Sequence, residues 1–86
     1  NDNSIDLLHI DVANNGQIYD FVFQNYIQKM TQNGLIILEG GSIERDNIQW
    51  MIEYDKSKIA PIISKYSELY NIKTFGIMPS ITLVTL

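Results

Sequence analysis

Leu35-Ile36-Ile37-Leu38, set between Asn33-Gly34 and Glu39-Gly40-Gly41-Ser42, decides how the rest of the chain is read. Four consecutive aliphatic residues bounded by turn formers predict a strand buried on both faces, as in the middle of a parallel sheet. Upstream, Gln17 to Gln32 carries polar residues at Asp20, Gln24, Gln28 and Thr31. That spacing draws a solvated stripe along a helix. Its other side carries Ile18, Phe21, Val22, Tyr26 and Met30, widened by Phe23 and Ile27. Asn33-Gly34 predicts the helix end, because glycine takes the left-handed cap conformation. Before the helix, Ile5 to Ile10 predicts a strand that ends in the turn Ala13-Asn14-Asn15-Gly16. Strand, helix and strand together make a βαβ unit, with its two strands parallel and neighbouring.

Downstream, Asp46 is placed to cap a short helix carrying Ile48, Met51 and Ile52. A further helix starts near Ser57 or Ala60, with Pro61 in its first turn. Ile59, Ile62, Ile63, Tyr66 and Leu69 form its apolar stripe. Ile72–Met78 and Ile81–Leu86, joined by Pro79-Ser80, predict an antiparallel hairpin with Lys73, Phe75 and Ile77 on one face. The expected order is β-α-β-(α)-α-β-β, an α/β fold with parallel strands and a C-terminal antiparallel hairpin.

A chain of 86 residues has room for one small domain, spanning 1–86. At 45% hydrophobic and 19% charged it is neither disordered nor fibrous. A mean hydropathy of −0.04 predicts a soluble chain. The longest uncharged stretch, Thr74 to Leu86, is shorter than the ~20 apolar residues of a spanning helix, and Pro79 breaks it. No membrane partner and no signal peptide are expected, which points to the cytoplasm. Six Lys and Arg residues spread singly in a chain of net charge −4 argue against nucleic acid as a partner. The absence of cysteine excludes a disulfide framework, a thiolate zinc site and a Cys nucleophile. The chain begins with Asn1 rather than Met, so we expect either a removed leader or a segment of a longer protein.

Leu7-Leu8-His9-Ile10-Asp11, a helix, Asn33-Gly34-Leu35-Ile36-Ile37-Leu38-Glu39, a helix and two strands resemble, in that order, the C-terminal half of class I S-adenosylmethionine-dependent methyltransferases. In that Rossmann-like family the fourth strand often reads Leu-Leu-His-Ile-Asp. The fifth strand follows a glycine pair and ends in an acid. The sixth and seventh strands form a terminal hairpin whose last strand is antiparallel. The resemblance covers nearly all of this chain but about half of the family's domain. The family's glycine-rich loop and its ribose-binding acid are absent, and Gly40-Gly41 follows a later strand. The resemblance therefore implies part of a larger methyltransferase. S-adenosylmethionine would be bound together with an N-terminal half, and the methyl group would pass to an oxygen or nitrogen of a small molecule. A sheet this small needs a neighbour beside Ile5–Ile10. Either that N-terminal half or a second copy in a homo-oligomer would supply it.

Ligands of parallel α/β sheets bind outside the carboxyl ends of the strands. His9, Asp11 and Asn14 fall at the first such end, and Glu39, Gly40, Gly41 and Ser42 at the second. His9 and Asp11 are the candidate catalytic residues, taking a proton from an acceptor hydroxyl or amine. Asn14, Glu39, Gly40 and Gly41 are the candidate substrate-binding residues. Asp11 with Glu39 could hold Mg²⁺, which prefers carboxylate oxygen and would acidify a hydroxyl. The resemblance implies two adjacent acids after the fifth strand for such a site, and here Glu39 is followed by Gly40. Structural roles compete throughout. His9 could pack, Asp11 could cap the turn, Glu39 could pair with Arg45, and the glycine pair could simply turn the chain. Trp50 and Met51 read as packing, and Tyr66 and Tyr70 as the edge of the core. An Ile- and Phe-rich hairpin beside an open sheet edge also fits a non-catalytic interaction or dimerisation module. No Gly-x-Ser-x-Gly elbow and no Asp-x-Asp occur, which disfavours α/β-hydrolases and many glycosyltransferases.

Overall fold

The computed structural model describes residues 4–12 and 14–86. Ala13, part of the expected turn, lies outside the described residues. Strand β1 (Ile5–Ile10) leads into helix α1 (Gly16–Asn25), a 3₁₀ turn over 27–29 and strand β2 (Met30–Glu39). A 3₁₀ turn at Arg45–Asn47, helix α2 (Gln49–Glu53) and helix α3 (Ala60–Tyr66) follow. Strands β3 (Asn71–Phe75) and β4 (Ile81–Thr85) close the chain. The sheet order is β1-β2-β4-β3. β1 and β2 are parallel, and β4 runs antiparallel to both of its neighbours. The expected α/β order and terminal hairpin are therefore present, with the last strand inserted between the second and the third.

Helix α1 starts where the side chain of Asn15 accepts a hydrogen bond from Ile18 N at 3.1 Å. It ends earlier than the periodicity predicts. Asn33-Gly34 is not its cap but lies inside β2. The reason is a bulge: Ile5 faces Met30 while Leu7 faces Leu35, so β2 carries extra residues over that step. Gly34 sits in the crowded part of this bulge. A Cβ there would lie 2.9 Å from Met30 Cε and 3.1 Å from Ile5 O.

The core lies between the sheet and the helices. Tyr19, Val22, Phe23 and Ile27 from the α1 region pack with Ile59, Ile36, Leu38 and Val84. Ile62, Ile63 and Tyr66 of α3 close over this cluster. The ring of Phe23 stacks on Tyr66 with centroids 4.4 Å apart, and Tyr70 lies alongside. The buried stripe of α1 therefore runs through Tyr19, Val22, Phe23 and Tyr26, and Phe21 is exposed.

Three expectations about the later elements are corrected. Asp46 does not cap α2, which Ile48 precedes. Its carboxylate instead accepts from Ile59 N at 2.7 Å and Ala60 N at 2.8 Å, capping α3 across an intervening helix. Leu69 lies beyond the end of α3 and is exposed. β3 stops at Phe75, so Ile77 belongs to the hairpin loop and not to the face of Lys73 and Phe75.

β2 is not buried on both faces. Ile36 and Leu38 are buried under the helices, while Leu35 and Ile37 are half-exposed on the other side. Strand register places Lys73, Leu83, Ile37 and His9 in one row across all four strands of that second face. Leu7, Phe75 and Ile81 are exposed there. Both larger helices contribute to the one core cluster, which leaves this face bare among the described residues.

Candidate functional site

The carboxyl ends of β1 and β2 lie side by side, because Ile10 is opposite Leu38 in a parallel pair. Asn14 ties these ends together. Its Nδ2 donates to Ile10 O at 3.2 Å and to Glu39 O at 2.9 Å. Glu39 O also accepts from the buried hydroxyl of Tyr19 at 2.9 Å. Burial pushes that phenol well above its ordinary range, so it stays a neutral donor.

Arg45 is the second tie. Its Nε donates to Glu39 Oε1 at 3.2 Å, and its Nη2 donates to Asn14 O at 3.0 Å and to Glu39 Oε2 at 3.4 Å. The guanidinium is buried and lies 5.8 Å from the centre of the Trp50 ring. Asn14 Oδ1 and Arg45 Nη1 are buried with no hydrogen-bond partner among the described residues. A bridging water is the ordinary partner of such atoms.

The glycine pair closes the arrangement. Gly40 N donates to Ser80 O at 2.8 Å, and Thr82 Oγ1 donates to Gly40 O at 2.9 Å. Gly41 has φ +114° and is pressed against the Thr82 and Thr74 hydroxyls, with no room for a Cβ. Ser42 Oγ donates to Ile77 O at 2.6 Å and accepts from Arg45 N at 3.0 Å. The tip of the β3–β4 hairpin is thus bolted to the turn that leaves β2.

The predicted residues separate into two groups. Asn14, Gly40 and Gly41 are buried and hold the strand ends in place. His9 and Asp11 are exposed, and Glu39 is partly so. His9 shares the bare sheet face with Ile37, its partner in register on β2. Asp11 follows the last paired residue of β1. The pairing of Glu39 with Arg45, one of the roles open to it, is formed.

The residues do not fit Mg²⁺. Both oxygens of Glu39 are taken by Arg45, and no cluster of three or more His, Cys, Asp or Glu suited to a metal occurs among the described residues. Nor do they form a cradle for S-adenosylmethionine, since the glycines at the rim are buried against protein. Tyr19 and the hairpin bolt were not foreseen. Tyr19, Val22, Phe23 and Tyr26 follow helical spacing, a signal that could have exposed the first. Nothing local marks Ser42 as a partner for Ile77.

A cavity of about 460 Å³ lies apart from this rim, on the bare sheet face, lined by Leu35, Asn71, Lys73, Phe75, Leu83 and Thr85. Among the described residues no helix is long and apolar enough to cross a membrane. Comparison with protein-family models, curated proteins and solved structures finds no match to this chain.

Proposed function

We propose that this chain is the acceptor-side part of an S-adenosylmethionine-dependent methyltransferase that acts on an oxygen or nitrogen of a small molecule. The observation that carries the reading is the sheet. A parallel pair joined through a helix is followed by a hairpin whose last strand runs antiparallel to its neighbours. That is the arrangement the sequence resemblance implies.

The open flank of β1 supports the same reading. Parallel strands are ordinarily covered on both faces and paired on both edges. Here one face is bare, and β1 has a partner only in β2 among the described residues. An upstream β/α half would fill both gaps and would hold the methyl donor, for which these residues provide no cradle. The contribution of this chain is to align the acceptor. His9 and Asp11 are its accessible proton acceptors at the strand ends, and Asn14, Tyr19 and Arg45 keep those ends in register.

Calorimetric titration of S-adenosylmethionine tests this. A protein extended upstream of Asn1 is expected to bind the cofactor, and the 86-residue chain alone is expected not to. An extended protein that ignores the cofactor but binds another nucleotide or a sugar would overturn the reading. The bare face with Leu7, Phe75 and Ile81 favours a second reading, a dimerisation module. It requires a stable oligomer of the chain by sedimentation, and a well-folded monomer would count against it.

A further inference from the structure

The cavity of about 460 Å³ on the bare sheet face is built by three strands and by side chains of two kinds. Leu35 of β2, Leu83 of β4 and Phe75 of β3 make its apolar wall, and Asn71, Thr85 and Lys73 bring polar atoms. Register sets these groups beside one another: Asn71 faces Thr85, and Lys73 faces Leu83. The volume falls within the ~300–1,000 Å³ of small-molecule sites, which join apolar walls to a few polar groups.

Lys73 is the one charged residue of the lining. Its neighbours on this face are Leu83 across the ladder, Ile81 and Thr85 on the diagonals, and Asn71 and Phe75 along its own strand. None of these is an acid. Glu39, in the row of Ile81 and Phe75, has both carboxylate oxygens bonded to Arg45. Glu68 lies in the turn before β3 and does not line the cavity. His9, at the far end of the row of Lys73, brings no negative charge. The ion pairs among the described residues are Arg45 with Glu39 and Lys65 with Asp20, so the ammonium of Lys73 has no carboxylate.

We propose that this cavity binds a small monocarboxylate, its apolar body against Leu35, Phe75 and Leu83 and its carboxylate on Lys73, with the Thr85 hydroxyl as a further donor. One ammonium matches one negative charge. The lining offers neither an arginine fork nor a helix N-terminus, the usual holders of a phosphate. The site stands independently of the methyltransferase reading, because β1, whose open flank supports that reading, adds nothing to the lining.

The test is a titration of the ¹⁵N-labelled chain with hexanoate, octanoate and octylamine, followed through amide shifts. Shifts are expected at Leu35, at Asn71–Phe75 and at 83–85. Affinity should rise about fivefold from hexanoate to octanoate, less than two fully enclosed methylenes would give, because Leu35 and Leu83 are half-exposed. Octanoate should bind at least fivefold more tightly than octylamine. That preference opposes the net charge of −4, which favours the amine at any unspecific site. Lys73→Met should erase the preference and keep the chain-length dependence. Lys73→Glu, which leaves a charge on the edge strand, should reverse it. Lys58→Met, an exposed change of the same charge outside the lining, should alter neither.

Octylamine binding as tightly as octanoate, no dependence on length, or shifts elsewhere would overturn the proposal. So would unchanged octanoate binding by Lys73→Met, since the lysine would then only guard an edge strand against pairing. A stable dimer in sedimentation that excludes octanoate would give the face to a second copy and overturn it too. The protein extended upstream of Asn1 should keep the octanoate response, and its loss there would mean that the chain itself covers the face. Failure of that protein to bind S-adenosylmethionine, with the octanoate response intact, would remove the methyltransferase reading and leave this site standing.

Discussion

Asp46, Arg45 and Asp20 show how much single side chains carry in a domain this small. The buried carboxylate of Asp46 satisfies two amide donors at the start of α3. Asp46→Ala should lower stability by about 2 kcal/mol, combining a lost cap with amide groups left unpaired. Urea unfolding measures this, and a loss under ~0.5 kcal/mol would mean the cap is not formed. Arg45→Met leaves the partly exposed Glu39 without its cation and Asn14 O without its donor. A loss of roughly 1–3 kcal/mol is expected, below that of a fully buried pair because solvent still reaches Glu39. Asp20 accepts from the Tyr66 hydroxyl at 2.7 Å and lies 3.5 Å from Lys65 Nζ. The Tyr66 hydrogen bond first, and Lys65 after it, hold its carboxyl below the usual aspartate range. A carboxyl more acidic in the folded chain than in the unfolded one stabilises fully above the ordinary aspartate value. That contribution is lost as pH falls through the folded value. Asp20→Asn should therefore be less stable than the parent at neutral pH, with the gap closing in strong acid. A gap independent of pH in thermal melts would contradict this.

Among the elements, the turn after β2 is the most constrained. Gly41 combines a positive φ with contact against Thr82, so Gly41→Ala meets both backbone strain and a clash. The expected loss is at least ~2 kcal/mol, read by urea unfolding, with β4 amides losing hydrogen-exchange protection before those of β1. Uniform loss of protection would mean that the turn does not tie β4 to β2. The same turn shows what a local pattern leaves open. Asn33-Gly34 and Gly40-Gly41 look alike as dipeptides. One lies in a strand bulge and the other leaves a strand, a difference set by β1 and β4 rather than by the dipeptides. His9, Asp11 and Glu39 were legible as strand-end groups because alternation and turn residues are local. That Asn14, Gly40 and Gly41 would be buried was not legible, because their covering atoms come from Arg45, Ile59, Thr74 and Thr82.

For the molecule as a whole, the imbalance between the two faces of the sheet dominates. It has a radius of gyration of 12.5 Å and extents of 38 × 22 × 21 Å, with α1 and α3 packed into the one core cluster on the same side of the sheet. Leu7, on the bare face and on the edge strand, is placed where another chain or segment would add. Leu7→Lys should weaken any self-association by about tenfold or more, since a charge on an edge strand opposes pairing. Sedimentation at rising concentration checks this, and an unchanged oligomer would put the contact elsewhere.

Hydrophobic periodicity and turn residues were enough to specify two parallel strands around a helix and a terminal hairpin, because both act over a few residues of contiguous chain. The packing of distant segments chose the rest. It placed β4 between β2 and β3, left one sheet face bare among the described residues, handed Asp46 to α3 and locked Arg45 to Asn14. Those outcomes depend on register and contacts between residues far apart in the chain, and no local pattern encodes them.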